Sequence, residues 1–259
     1  MKAADIFNLK GRVALVTGAS SGLGTQFAKA LADNGAAVAL VARRAERLAD
    51  MKKAIEAAGG RAVAIEADVT DRAAMTRAFD VTEAAFGTVT ILVNNAGIAQ
   101  SPRRAIEVTA EEWRKVLSVD LDTVFYNAQE AARRMLAAKQ PGAIVNIASV
   151  LGYGVAKGVV AYATAKAGVI QMTKALGLEL AFKGIRVNAI APGWFITEMN
   201  RDFLTSPSGA AMTKDIPVGR FGRDGDLDGA LLLLVSNAGA YIAGTTIVVD
   251  GGQLVALRG

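Results

Sequence analysis

The sequence predicts an α/β fold with a doubly wound, seven-stranded parallel sheet flanked by helices. Three observations predict it: short β-like runs alternate with helical ones, 52% of the 259 residues are hydrophobic, and no repeat or Pro/Gly/Ser-rich linker interrupts the chain. In order, the strand at 13–16 leads through a glycine-rich turn into a helix at 26–34, and the strand at 38–41 into a helix at 46–58. The strand at 63–67 precedes a helix at 73–86, and the one at 91–93 a long helical stretch. A strand at 143–147, a helix at 162–182 and a strand at 185–189 follow, and a helix at 227–236 and a last strand at 246–249 close the pattern. One domain spanning 1–259 is expected. The irregular stretch at about 193–224 is too long for a plain connection and is expected to be a lid.

Composition excludes much chemistry. The chain has no cysteine and no histidine, which removes disulfides, thiol nucleophiles, sulfur-ligated zinc, iron–sulfur clusters and every imidazole base. Acid–base work falls to Tyr, Lys, Asp or Glu, and no catalytic metal is expected. The formal charge of +5 is spread along the chain, without the clustered basic stripe and interleaved aromatics of a nucleic-acid-binding surface. No apolar run is as long as a membrane span, and Met1-Lys2-Ala3-Ala4-Asp5 lacks a secretion signal's apolar stretch. A cytoplasmic protein is expected.

After the first strand, Thr17-Gly18-Ala19-Ser20-Ser21-Gly22-Leu23-Gly24 opens into a helix. Such a turn brings backbone close to a pyrophosphate and aims helix N-terminal amides at it. Tyr162 and Lys166 stand one helical turn apart on one face. Ser149 ends the fifth strand, at the carboxyl edge where such sheets bind ligands. These features resemble the short-chain dehydrogenase/reductase family, as do Asn94-Asn95-Ala96-Gly97, Pro192-Gly193 with Thr197, and Val249-Asp250-Gly251-Gly252. The resemblance extends over nearly the whole chain and is nearest to the 3-oxoacyl-carrier-protein reductase and carbonyl reductase branch.

The resemblance implies a Rossmann-like fold and a nicotinamide cofactor held by Gly18, Ser20, Ser21, Gly22, Leu23, Gly24, Asn95, Ala96, Gly97, Pro192, Gly193, Thr197, Tyr162 and Lys166. It makes Tyr162 the proton donor, has Ser149 hold the substrate oxygen, and gives Lys166 the nicotinamide ribose. A close ammonium favours the phenolate form of a tyrosine. The second strand ends Val41-Ala42-Arg43-Arg44. Ala42 stands where NAD-using members carry an acid and Arg43 follows where NADP-using members often carry a cation, which implies NADP(H) with Arg43 and Arg44 among the cofactor-binding residues, unless these two arginines merely open a solvated helix. Asp68 and Val69 are either the adenine-binding pair or part of a helix cap before Asp71.

Asp120 departs from the family, which usually has Asn there as part of a proton relay to the lysine. An ionised Asp accepts but does not donate, and it biases Lys166 toward protonation. The lid's Trp194, Phe195, Ile196, Met199, Phe203, Leu204, Met212 and Ile216 either face a hydrophobic carbonyl or alcohol substrate or pack the lid on the domain. A homotetramer is implied by the resemblance, with 231–235 and 254–257 belonging either to interfaces or to the subunit core. Leu178 stands where acyl reductases carry an arginine for the acyl carrier protein, which makes such a partner doubtful. Arg103, Arg104, Arg133 and Arg134 remain as an alternative acceptor surface. The leading expectation is reduction of a ketone or 3-oxoacyl compound. The alternatives are a dehydrogenase of a sugar, polyol or steroid alcohol, and a nucleotide-sensing regulator.

Overall fold

A computed structural model of the protein describes residues 2–198 and 200–256. Strands β1 (Val13–Thr17), β2 (Ala37–Ala42), β3 (Arg61–Glu66), β4 (Ile91–Asn94), β5 (Gly142–Ile147), β6 (Ile185–Pro192) and β7 (Thr246–Val249) form one sheet in the order β3-β2-β1-β4-β5-β6-β7. Every neighbouring pair is parallel. The expected fold class is therefore realised. The strand order reverses between β1 and β4, and doubly wound sheets bind ligands outside the carboxyl ends at that crevice.

The helices are α1 (Ala3–Ile6), α2 (Gly22–Asp33), α3 (Ala45–Ala57), α4 (Arg72–Phe86), α5 (Ala110–Leu117), α6 (Thr123–Ala137), α7 (Val160–Leu180), α8 (Arg201–Leu204), α9 (Pro207–Ala211) and α10 (Asp228–Val235). The inner strands β1, β2, β4 and β5 are buried at every position because both faces of the sheet are covered, whereas the edge strands β3 and β7 are only partly buried. Ala14 and Val16 of β1 join a core with Phe27 and Leu31 of α2 and Leu231 and Leu234 of α10. The alternate residues Val13 and Leu15 join Phe79 of α4 and Met135 of α6 on the opposite face. Each such large side chain, when fully buried, contributes about 1.5–3 kcal/mol.

Several boundaries moved for tertiary reasons. Helix α2 starts at Gly22 rather than at residue 26, because close packing overrides glycine's poor helix propensity: a Cβ on Gly24 would lie 2.2 Å from the Gly18 carbonyl oxygen. Strand β6 runs on to Pro192, held by pairing with β7. The long helical stretch after β4 is α5 and α6 joined by a π-helical turn, Ser118–Asp122. Segment 193–224 is less irregular than expected, since it carries α8, α9 and the 3-10 turn Met212–Asp215.

In that segment Leu204, Ile216 and Phe221 form a small core, with Trp194, Ile196 and Met212 packed against it. Packing is thus what these side chains chiefly do. Met199 and the side chain of Phe203 lie outside the described residues. Leu231, Leu234 and Val235 are wholly buried within the subunit, while Leu257 also lies outside the described residues.

Candidate active site

The turn after β1 and the loop after β4 form a cradle at the carboxyl edge of the sheet. The hydroxyl of Thr17, at the end of β1, accepts the backbone N–H groups of Asn95 and Ala96, each at 3.0 Å. The Asn95 amide donates to the Thr17 carbonyl at 2.9 Å. These bonds fasten the loop after β4 to the glycine turn. Gly18 adopts φ +67°, and a Cβ there would lie 2.8 Å from the Asn95 amide nitrogen. Only glycine fits both the angle and the space. Gly22, at φ +54°, faces Thr197, whose side chain would lie 3.3 Å from an added Cβ. Leu23 anchors the helix start against the core.

Ser21 precedes α2 without capping it, because its hydroxyl accepts from Arg44 Nη2 at 2.6 Å. The first-turn amides are left without a side-chain cap, the arrangement that binds phosphate. The glycines' close approach and these amides fit a dinucleotide. Ser20 is tied to Arg44 Nε at 3.2 Å. Arg43 is largely exposed, 3.9 Å from the Asp68 carboxylate. Asp68 accepts from the backbone and hydroxyl of Thr70, which with Arg43 hold its carboxyl below the usual range. The cap of α4 is Asp71, which accepts from the Ala74 N–H, and Val69 packs against the core. Pro192 ends β6 beside Gly193, whose N–H donates to the Val249 carbonyl and where a Cβ would lie 2.7 Å from Asp250 Cβ.

The proposed chemical groups gather at the carboxyl edge of β4 and β5. Ser149 is 7% exposed, and its Oγ accepts the Leu151 N–H at 3.1 Å, which fixes the hydroxyl while leaving its proton to donate. Tyr162 and Lys166 share a face of α7, with the ammonium 5.5 Å from the phenol ring centre. Lys166 is 4% exposed and donates to the Ile147 carbonyl at 3.1 Å. The π-helical turn swings Asp120 inward to complete burial, consistent with such turns marking functional sites. Its Oδ1 accepts the Ile98 N–H at 2.8 Å, and its Oδ2 lies 3.6 Å from Lys166 Nζ. That separation makes an ion pair but is too long for a hydrogen bond, so Oδ2 is buried without one. Gly97 lies against this carboxylate, and a Cβ there would meet Oδ2 at 3.4 Å, an ordinary contact distance.

Burial pushes the Asp120 carboxyl above its ordinary range despite the Lys166 charge and the Ile98 bond. For Lys166, burial is the largest single influence and disfavours the ammonium, but Asp120 and Tyr162 together outweigh it and raise its pKa. The pair is coupled, so a proton on one changes the affinity of the other.

Three contributors escaped the sequence reading. Gln100 Oε1 accepts the N–H groups of Ala161 and Tyr162 at 2.9 and 3.1 Å, capping α7 from a loop 61 residues away. Arg47 and Glu198 join Arg44 in a cluster that spans 154 residues. No local pattern signals either arrangement. A buried amide chain linking Asn127, Asn94 and Asn146 to Thr173 stiffens the sheet edge behind Ser149.

The family model described as Enoyl-(Acyl carrier protein) reductase matches residues 18–253. The 3beta-hydroxysteroid dehydrogenase 1 of Eggerthella lenta is 41% identical over 251 residues, covering 95% of this chain and 95% of that protein. The crystal structure of a short-chain type dehydrogenase/reductase from Mycobacterium marinum superposes with a TM-score of 0.93 at 37% identity, covering 97% of this chain and 99% of that one. A gluconate 5-dehydrogenase from Burkholderia cenocepacia, in complex with NADP and tartrate, gives a TM-score of 0.93 at 36% identity over 99% of this chain and 100% of that one.

Proposed function

The chain belongs to the short-chain dehydrogenase/reductase family, and we propose that it is an NADP-dependent oxidoreductase interconverting a carbonyl and its secondary alcohol, with a ketone or 3-oxoacyl compound as the group reduced. The buried Lys166 ammonium, set beside the Tyr162 ring and the Asp120 carboxylate, carries this reading. Bound at the glycine loop, reduced cofactor supplies a hydride to the carbonyl carbon. Ser149 donates its free hydroxyl proton to the substrate oxygen and holds it in place. Tyr162 gives the proton that turns this oxygen into a hydroxyl, and Lys166 stabilises the phenolate left behind. Asn95, Ala96, Gly97, Pro192, Gly193 and Thr197 line the nicotinamide side, while Asp68 and Val69 take the adenine side.

A second reading is oxidation of a sugar, polyol or steroid alcohol by the same residues run in reverse. The names of the steroid and gluconate relatives favour it, as does the self-packing of segment 193–224, which spends its apolar side chains on its own core. In both readings that segment is the lid over one domain. Carrier-protein docking is disfavoured, because Arg103 pairs with Glu112, and Arg134 with Asp80, Glu83 and Glu130. The exposed Leu178 of α7 and Phe182 in the 3-10 turn that follows it, and the exposed Tyr241 ahead of the edge strand β7 with Val248 within it, support a homotetramer with two kinds of interface. We assign it to the cytoplasm; no described helix is long and apolar enough to cross a membrane.

The test is oxidation of NADPH and NADH by purified protein against ketones, 3-oxoesters and diketones, with the reverse reaction on polyols, sugar acids and sterols. NADPH should be preferred, and Arg44→Ala should erase the preference. Equal turnover with NADH in the unmodified protein would overturn the cofactor assignment.

Asp120 adds a pH prediction. Asp120→Asn removes the chief influence that raises the Lys166 pKa, so the ammonium should lose its proton at lower pH. The basic limb of the kcat/KM profile should move to lower pH, whereas an unmoved limb would exclude Asp120 from the proton path.

A further inference from the structure

The NADP reading makes Arg44, just past the end of β2 and tied to the glycine turn, the residue to meet a 2′-phosphate; a second residue follows from it, and the inference rests on that reading. Glu198, immediately after Thr197, places its carboxylate between two guanidiniums. Its Oε2 accepts from Arg44 Nη1 at 3.0 Å and Arg47 Nη1 at 2.6 Å, and its Oε1 accepts from Arg47 Nη2 at 2.8 Å. Arg44 is at the same time clamped on the hydroxyls of Ser20 and Ser21 in the glycine turn. These Arg44 and Arg47 N–H groups are thus already spent on an internal anion. The two arginines hold the Glu198 carboxyl well below its ordinary range, at about 2, so it stays charged at any working pH.

We propose that Glu198 is a specificity-determining residue that competes with the cofactor's 2′-phosphate for Arg44 and Arg47. A phosphate monoester carries a charge of about −1.5 to −2 and three acceptor oxygens. Arg43, Arg44 and Arg47 face two carboxylates, Glu198 and Asp68, so little net positive charge remains while Glu198 stays in place. Moving Glu198 aside returns three N–H donors to the arginines and removes a like charge from the phosphate. A cofactor without the 2′-phosphate requires no such displacement. Glu198 therefore narrows the NADP preference that the arginines create. It also ties segment 193–224 to the glycine turn and α3 until a 2′-phosphate arrives.

The experiment is calorimetric binding of adenosine 2′,5′-bisphosphate and adenosine 5′-diphosphate to the full chain and to Glu198→Gln. The Gln side chain keeps the length but drops the charge, and the site is exposed enough that folding is not at stake. The variant should bind the 2′-phosphorylated nucleotide about two- to tenfold more tightly, as expected for two exposed ion pairs released. The difference should shrink at high salt, with adenosine 5′-diphosphate unchanged. Weaker or unaltered binding of the bisphosphate, or an equal change for both nucleotides, overturns the proposal. Arg44→Ala separates the two readings. If that variant loses the bisphosphate preference while Glu198→Gln has no effect, only the competition is wrong. If Arg44→Ala leaves the preference intact, the phosphate assignment fails and the proposal falls with it.

Discussion

Tyr162→Phe is expected to lower turnover by about 10²–10⁴, the usual contribution of a positioned proton donor, while leaving fold and cofactor affinity in place. The geometry isolates the hydroxyl. Its backbone is held in α7 and by the Gln100 cap, and its ring lies beside the Lys166 ammonium, whereas the hydroxyl has no protein hydrogen-bond partner among the described residues, so deleting it breaks nothing structural. Stability should stay within about 0.5 kcal/mol. Steady-state rates, a melting curve and cofactor titration on one preparation make the comparison. Retention of turnover within tenfold of the unmodified protein would remove Tyr162 from the chemistry. Loss of turnover accompanied by loss of cofactor binding would give it a binding role instead.

What the sequence revealed and what it concealed divide along physical lines. All seven strands were visible because each is a short run rich in apolar and β-branched residues, the partly buried edge strands β3 and β7 included, and 246–249 was placed to the residue. The glycine turn was legible because Gly18, Gly22 and Gly24 each meet a constraint that excludes a side chain. Asp120 was visible as a departure from a family pattern, yet its complete burial depends on a π-helical turn that no spacing announces. The order inside segment 193–224 was hidden because its short helices are held by Leu204, Ile216 and Phe221 packing on one another. Gln100 and Glu198 were invisible for a related reason: each acts on a partner far along the chain, and a Gln or Glu in a loop reads as solvated surface.

The buried Asp120 and Lys166 pair gives the largest expected effect on stability. Lys166→Met keeps an aliphatic stem of similar reach but removes the ammonium, leaving a fully buried carboxylate supported only by the Ile98 N–H. Removing one member of a buried pair costs about 3–5 kcal/mol, on the order of 10 °C in Tm for a chain of this size. Burial already pushes the Asp120 pKa up, and the Lys166 charge is the first influence opposing it, so in the variant the folded-state pKa rises further. A carboxyl whose folded pKa lies above its unfolded value, about 3.9, binds its proton more tightly when folded. The stability it contributes is complete below the unfolded value and lost as pH rises through the folded one. The deficit of Lys166→Met relative to the unmodified protein should therefore grow from acidic to neutral pH. Adding Asp120→Asn should recover most of it at neutrality, because the amide carries no charge yet still accepts from Ile98. Denaturant melts of the two single variants and the double variant at matched pH supply the cycle. A deficit independent of pH, or one that Asp120→Asn leaves intact, would mean that packing around the Lys166 stem, rather than the pair of charges, holds this part of the site together.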